Sequence, residues 1–173
     1  MIGIEGELGF ALRPVRAEDT DFLFELFLDA RAVEFSHLPL HGAERDFLLR
    51  MQFEAQQRAY AARFPALSDA IVWCGGRPVG RLWLASEQDE IRVLDIALLS
   101  KERGAGIGSS LLRQVLQEGK LVRLSVARTN LRAIELYQRL GFVVANQNDV
   151  FLEMEHPAFP SRNFGGTSLR SSE

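Results

Sequence analysis

The chain has 173 residues, 47% apolar and 25% charged, which favours one domain with a sizeable core and an ordinary globular composition. A formal net charge of −3 with no basic block gives a nucleic-acid partner no electrostatic support. A single cysteine, Cys74, excludes an internal disulfide and fits a reducing cytoplasm, the expected location; inside AIVWC it reads as buried packing rather than as a nucleophile.

The N-terminus, MIGIEGELGF, lacks the basic start and long apolar core of a signal peptide. No window reaches the ~18 apolar residues of a membrane span, so no membrane partner is expected. Leu8, Phe10 and Leu12 alternate with small or polar residues, the period of a half-buried strand that Pro14 ends. Ala17 to Thr20 offers a helix start with acids in its first turn, and Phe22, Leu23, Leu26 and Phe27 follow at helical spacing. EFSHLPLHG is a loop by its Pro and Gly. A longer helix is expected from about Ala43 to Arg63, with Phe47, Leu48, Met51 and Ala55 as its apolar stripe.

From Ala70 the pattern changes to strands. AIVWC and VGRLWLA are β-rich runs joined by a turn at Gly75 and Gly76. After the turn SEQDE comes IRVLDIALL, whose nearly continuous apolar character marks a central strand buried on both faces. A helix follows RGAGIG, with Leu111, Leu112, Val115 and Leu116 on one side and Gly119 at its end. Val122, Leu124 and Val126 alternate in a further strand. TNLRAIELYQRL is helical and closes at Gly141, and FVVAN with VFLEMEH reads as a terminal hairpin. The order β-α-α-β-β-β-α-β-α-β-β implies a mixed sheet with helices packed on it, residues 1–156 forming one domain. Residues 157–173 are rich in Ser, Gly and Pro and are expected to be a mobile tail, or one ordered only against a neighbouring surface.

The strand IRVLDIALL, the loop SKERGAGIG and the helix SSLLRQVLQ form one unit. A helix start carries about four backbone N–H groups without partners and the positive end of a dipole. Glycines let that backbone approach a ligand and take positive φ, so successive N–H groups converge on an anion. No lysine follows the loop, which removes the triphosphate pattern G-x-x-x-x-G-K-[ST]. Ser109 and Leu111 stand where the dinucleotide pattern G-x-G-x-x-G needs glycine.

Arg103-Gly104-Ala105-Gly106-Ile107-Gly108 resembles the R/Q-x-x-G-x-G/A signature of the GCN5-related N-acetyltransferases. A second block about twenty residues on, Asn130-Leu131-Arg132-Ala133-Ile134-Glu135-Leu136-Tyr137 and on through Gly141-Phe142, resembles that family's N-x-x-A-x-x-L-Y-x-x-x-G-F. The resemblance runs most strongly from Val93 to Phe142. It implies an α/β (α+β) fold with a mixed, mostly antiparallel sheet of six to seven strands, a V-shaped splay and about four helices.

It further implies acetyl-CoA as co-substrate, with no metal. The backbone of Arg103, Gly104, Ala105, Gly106, Ile107, Gly108 and Ser109 would cradle the pyrophosphate. The main chain around Ala97 and Leu98 would pair with pantetheine as an added strand. Asn130 would contact pantetheine and Tyr137 would serve the thiol; both lie on one helix face, two turns apart. The residues alone also allow Tyr137 as a core aromatic and Asn130 as a helix cap.

Transfer to an amine needs a neutral nitrogen. A lysine-like amine is neutral in about 1 of 2,500 molecules at pH 7, a penalty of roughly 4.6 kcal/mol; an α-amine meets only ~1 kcal/mol. Attack through a tetrahedral intermediate wants a backbone N–H near Leu98 for the oxyanion and a tyrosine, Tyr137, to protonate the leaving thiolate. Asp95, amid apolar neighbours on the central strand, is the candidate base, its pKa expected to be raised; it is equally readable as a carboxylate satisfied by Arg or backbone groups.

Glu34, His37 and His41 lie in the loop that lines the acceptor site in this family, though loop histidines are more often solvated. Glu87, Asp89 and Glu90 read as a solvated turn, and Ser109 and Ser110 as helix caps rather than nucleophiles. His37 and His41 flank Pro39, which breaks metal-ligand geometry. The expected activity is N-acetyl transfer to a primary amine of a small molecule or peptide. The alternative is a catalytically inactive acyl-CoA-binding module, and a homodimer is left open.

Overall fold

A computed structural model describes residues 9–32, 35, 42–64 and 67–158. In chain order these form β1 (Phe10–Pro14), α1 (Thr20–Ala30), α2 (Gly42–Arg63), β2 (Leu67–Cys74), β3 (Arg77–Ser86), β4 (Glu90–Leu98), α3 (Ile107–Leu116), β5 (Leu121–Ala127), α4 (Leu131–Arg139), β6 (Val143–Gln147) and β7 (Phe151–His156). Short 3-10 turns precede α1 and follow β4. The seven strands make one open sheet in the order β1-β2-β3-β4-β5-β7-β6, antiparallel everywhere except between β4 and β5. This is the mixed, mostly antiparallel architecture that the sequence implied, with its helices in the expected places.

Local chemistry accounts for most of the boundaries. Gly75 and Gly76, both at positive φ, make the two-residue hairpin between β2 and β3. Asp19 anchors the entry to α1: its carboxylate accepts from Arg13 at 2.7 and 2.9 Å and from the Arg16 backbone N–H at 2.7 Å. Those partners hold the Asp19 carboxyl below the ordinary range, the Arg13 hydrogen bond contributing most.

Two apolar clusters lie on opposite faces of the sheet. Leu111, Leu112 and Val115 of α3, with Tyr137 of α4, pack with Val72, Leu82 and Val122. Leu23, Phe24 and Phe27 of α1 and Leu49 and Phe53 of α2 pack with Ile71. Truncating a fully buried leucine such as Leu111 to alanine would cost about 2–5 kcal/mol.

Three expectations need correction. Most of the stripe assigned to α2 faces outward: Phe47 is 67% exposed and Met51 51%, Ala55 is exposed and Leu48 only half-buried, whereas Leu49 and Phe53, also four apart, enter the core. The face of this helix is set by the aromatic cluster of α1, which the helix's own periodicity does not contain. Cys74 is half-buried at the hairpin end rather than fully enclosed. The central strand β4 is not buried along its whole length, because residues 95–98 border a cavity.

That cavity follows from a slip in register. Trp83 pairs with Asp95 and Leu84 with Val93, so Leu94 is an extra residue on β4, a β-bulge. The parallel ladder to β5 ends at the same point, with Val93 opposite Leu124. Beyond it β5 keeps its pairing to β7 as far as Ala127, and β4 keeps its pairing to β3. The sheet therefore splays between β4 and β5. Glu34, His37, His41, Leu8 and residues 159–173 of the expected tail lie outside the described residues.

Candidate active site

The splay opens into a cavity of about 510 Å³ that brings together residues from α1, α2, β3, β4, α3 and α4. Of the residues singled out in the sequence, Asp95, Ala97, Leu98, Arg103, Gly104, Gly106, Gly108, Ser109, Asn130 and Tyr137 line it. Ala105 does not, and Ile107 packs into the core, so the side chain of Ile107 is structural. Glu87, Asp89, Glu90 and Cys74 do not line it either; Glu90 pairs with Arg92 and Arg123 at 2.9 and 2.8 Å.

One end of the cavity is the start of α3. Gly104 and Gly106 adopt φ values of 92° and 84°, conformations that side-chain-bearing residues rarely take. Gly106 is itself the N-cap, and no side chain caps this helix. Ser109 and Ser110 are therefore not caps, contrary to the sequence reading: they fall inside the first turn, where the Ser110 N–H already bonds the Gly106 carbonyl at 3.0 Å. An uncapped start leaves the first N–H groups of α3 open toward the cavity, the arrangement that suits an anion.

Three of the arginines that border the cavity come from the glycine loop and from α4. Arg132 and Arg139 of α4 line the cavity, and a Cβ placed on Gly104 would lie 3.3 Å from Arg132 Nη2. The sequence reading passed over both, although they repeat the seven-residue spacing of Asn130 and Tyr137. The third, Arg103, is already engaged: Nε donates to the Leu98 carbonyl and Nη2 to Asp29, each at 2.9 Å.

The middle of the cavity is the open edge of β4. The Ala97 carbonyl faces β3 so closely that a Cβ on Gly80 would come within about 2.4 Å of it. Strand alternation then turns the backbone polar groups of Ile96 and Leu98 to the unpaired edge. Asn130 lines the opposite wall and also caps α4, its Oδ1 accepting from the Ala133 N–H at 3.2 Å. Tyr137 likewise combines both of its readings. It is 7% exposed and packs on Phe142 with ring centroids 5.8 Å apart, yet it lines the cavity. Burial, with a smaller contribution from the Asp95 charge, pushes its phenol up to about 12.

The far end is walled by Leu23, Phe27 and Phe53, with Asp95, Arg31, Arg81, Gln56 and Gln57 as its polar groups. Burial raises the Asp95 carboxyl above its ordinary range, against the opposing pull of Arg81 and then Arg31. Arg81 is buried and neutralised, forking onto both carboxylate oxygens of Asp69 and stacking 3.7 Å from the Trp83 ring centroid.

A thioester donor fits this cavity on its chemistry. An uncapped helix start and the Arg132 guanidinium beside Gly104 suit its phosphates, an unpaired strand edge suits an amide-bearing arm, and a tyrosine and a carboxyl share the reacting end. Residues 23–142 match the model of the "Acetyltransferase (GNAT) family". The chain belongs to that family. Among curated relatives, it is 31% identical over 101 residues to a mycothiol acetyltransferase of Corynebacterium efficiens, an alignment spanning 54% of this chain but only 34% of that protein.

Among solved structures, this GNAT chain superposes on the PaiA N-acetyltransferase of Thermoplasma acidophilum in complex with coenzyme A, with a TM-score of 0.66 and 17% identity. That match covers 86% of this chain and 98% of the other. It also superposes on the spermidine N-acetyltransferase of Vibrio cholerae in complex with CoA and spermine, with a TM-score of 0.61, 17% identity and coverage of 86% and 95%. At these identities the likeness establishes a GNAT fold.

Among the described residues, no helix is long and apolar enough to cross a membrane.

Proposed function

We propose that this chain is an acetyl-CoA-dependent N-acetyltransferase that acts on a primary amine of a small molecule or peptide. The observation that carries the reading is the arrangement of one cavity. Its glycine end presents the uncapped start of α3, its middle the free edge of β4, and its closed end both Tyr137 and Asp95.

Acetyl-CoA supplies an activated acetyl thioester. The backbone N–H groups from Gly104 to Ser109 hold its pyrophosphate, the Arg103 N–H being already bonded to the Ser100 carbonyl at 3.2 Å, and Arg132, beside Gly104, adds charge-assisted hydrogen bonds to phosphate oxygens. The β4 edge at Ile96 and Leu98 pairs with the pantetheine arm in the way an added strand would, across from Asn130. The Leu98 N–H faces the same edge and serves the thioester oxygen as negative charge develops on it. Tyr137 keeps its proton at any assay pH and gives it, or a hydrogen bond, to the departing sulfur. Asp95 takes a proton from the amine, directly or through water, and its raised pKa brings it closer to the working pH than an ordinary carboxylate.

The experiment is thiol release from acetyl-CoA across a panel of amines, polyamines, aminoglycosides and peptides with free N-termini. Amine-dependent release supports the reading. Tight acetyl-CoA binding with no turnover on any amine would instead indicate a binding module.

A further inference from the structure

Trp83 on β3 has an aspartate directly across from it on each side, Asp69 on β2 and Asp95 on β4. Cross-strand partners share a face of the sheet, and so do residues two apart on one strand. Both carboxylates therefore lie on the face that carries Arg81. The Arg81 guanidinium stacks on the Trp83 ring, 3.7 Å from its centroid, and so stands between two acids that compete for it.

Asp69 holds it. Arg81 Nε donates to Asp69 Oδ1 at 2.7 Å, Nη2 donates to Asp69 Oδ2, and Nη2 also donates to Gln57 Oε1 at 2.8 Å. A planar fork of this kind fixes the guanidinium as well as neutralising it, and Nη1 is left on the side away from Asp69. Arg81 and Asp95 both line the cavity, yet no ion pair joins them and no side chain hydrogen-bonds to Asp95 among the described residues. A fork from Arg81 onto Asp95 would fill that carboxylate's lone pairs and hold it ionised, leaving a poor base that the amine could not reach.

We propose that Asp69 is a positioning residue for acetyl transfer: by gripping Arg81 it denies the guanidinium to Asp95 and leaves the Asp95 carboxylate open to the amine. This rests on the acetyltransferase reading above, with Asp95 as its base, and adds the group that keeps that base available. The other charged or titratable groups that face Asp95 are Arg31, just after α1, and Tyr137 on α4, while α2 brings only Phe53, Gln56 and Gln57 to the cavity. Burial does most to raise the Asp95 carboxyl, Arg81, Arg31 and the Ile96 backbone oppose it, and the Asp69 charge adds to the rise.

The test is the pH dependence of kcat, read as thiol release from acetyl-CoA with the best amine of the panel. Wild type should show a limb that rises with pH and is missing in Asp95→Asn. Asp69→Asn keeps the shape of the side chain and removes its charge, so Arg81 acts on Asp95 unopposed. The limb should then move to lower pH by about one unit or more, with a lower plateau. Asp69→Glu should keep it near the wild-type position. Adding Arg81→Met to Asp69→Asn removes the cation, and the limb should return to the wild-type position or above it. A loss of packing at Asp69 would not be repaired in that way. A limb unmoved in Asp69→Asn overturns the inference. So does a limb below the wild-type position in the double variant, which buries no unpaired charge and so remains informative even where Asp69→Asn does not fold. A wild-type profile without a limb that Asp95→Asn abolishes removes Asp95 as the base and this inference with it, while acetyl transfer stands. Absence of thiol release with every amine overturns the acetyltransferase reading itself.

Discussion

The Asp29 carboxylate, near the end of α1, holds the Arg103 guanidinium at 2.9 Å across 74 positions of sequence. The same carboxylate accepts the Ser100 backbone N–H and hydroxyl, each at 2.8 Å. Arg103 in turn reaches the Leu98 carbonyl. One acid therefore ties the helix on the acceptor side to the glycine loop and to the open edge of β4. The signature arginine works here as a brace for the loop, its Nε and Nη2 engaged with the Leu98 carbonyl and Asp29.

Asp29→Ala releases both ends of that brace. The expected result is a rise of about tenfold in KM for acetyl-CoA with a smaller change in kcat, since hydrogen bonds to charged groups are the stronger kind. Asp29→Glu should recover part of the loss. Steady-state kinetics on the three proteins checks this, and an unchanged KM in the alanine variant would remove the brace from the account.

Arg132 approaches the loop from the other side, beside Gly104. Arg132→Gln should weaken acetyl-CoA binding by about tenfold or more while kcat stays close to that of the wild type. The dependence of KM on ionic strength should flatten in the variant, because one of the charges seen by the phosphates is gone. Titration at two salt concentrations reads both effects.

Tyr137 should act as a donor and never as a base, its phenol being pushed up to about 12. Tyr137→Phe is expected to lower kcat about 10²-fold or more with little change in acetyl-CoA affinity. The shape of the pH profile should be the same in both proteins, since the phenol does not titrate within the assay range. A rate equal to wild type would exclude the proton-donating role.

Asp95 trades stability for chemistry. Burial raises its carboxyl, so the folded chain keeps that proton to higher pH than the unfolded chain does. The associated stability is complete below the ordinary carboxylate range and is lost as pH rises through the folded value. Asp95→Asn escapes that loss. Its Tm should exceed the wild type's at pH 8, and the two should converge toward about pH 4. Turnover should fall about 10²-fold or more in the same variant, and the wild-type rate should climb with pH as Asp95 ionises. Thermal unfolding at several pH values together with kcat tests the pair, and an Asn variant less stable than wild type at pH 8 would contradict the assignment.

Much of this could be read from the residues before any coordinates. The glycine turn at Gly75 and Gly76, the cap at Gly141 and the helix after RGAGIG are local signals, and each is where it was expected, whereas the helix expected to end at Gly119 stops earlier, at Leu116 with Gln117 as its C-cap. The loop and the Asn130–Tyr137 pair lie on one continuous piece of chain, so spacing alone brought them to one face. The misread features depend on distant partners. Leu49 and Phe53 turn inward because Phe24 and Phe27 wait there. Arg103 is engaged only because α1 ends where Asp29 can reach it. The bulge at Leu94 is visible solely in the register between two strands, one of which shows no break in its sequence.

That bulge has a mechanical consequence. The sheet is two stacks of neighbouring strands, β1 to β4 and β5 to β7, joined by four rungs between Glu90–Val93 and Leu121–Leu124. The joint is the single parallel pairing of the sheet, and it forms only after the chain has crossed over through α3. Only the terminal β6–β7 ladder is as short, and that one lies at the edge of the sheet rather than between its two halves. Among the interior ladders, amide hydrogen exchange should run fastest along this joint, and a molecule laid in the gap would act as mortar between two courses. Occupancy of the cavity and cohesion of the domain are thereby made one equilibrium.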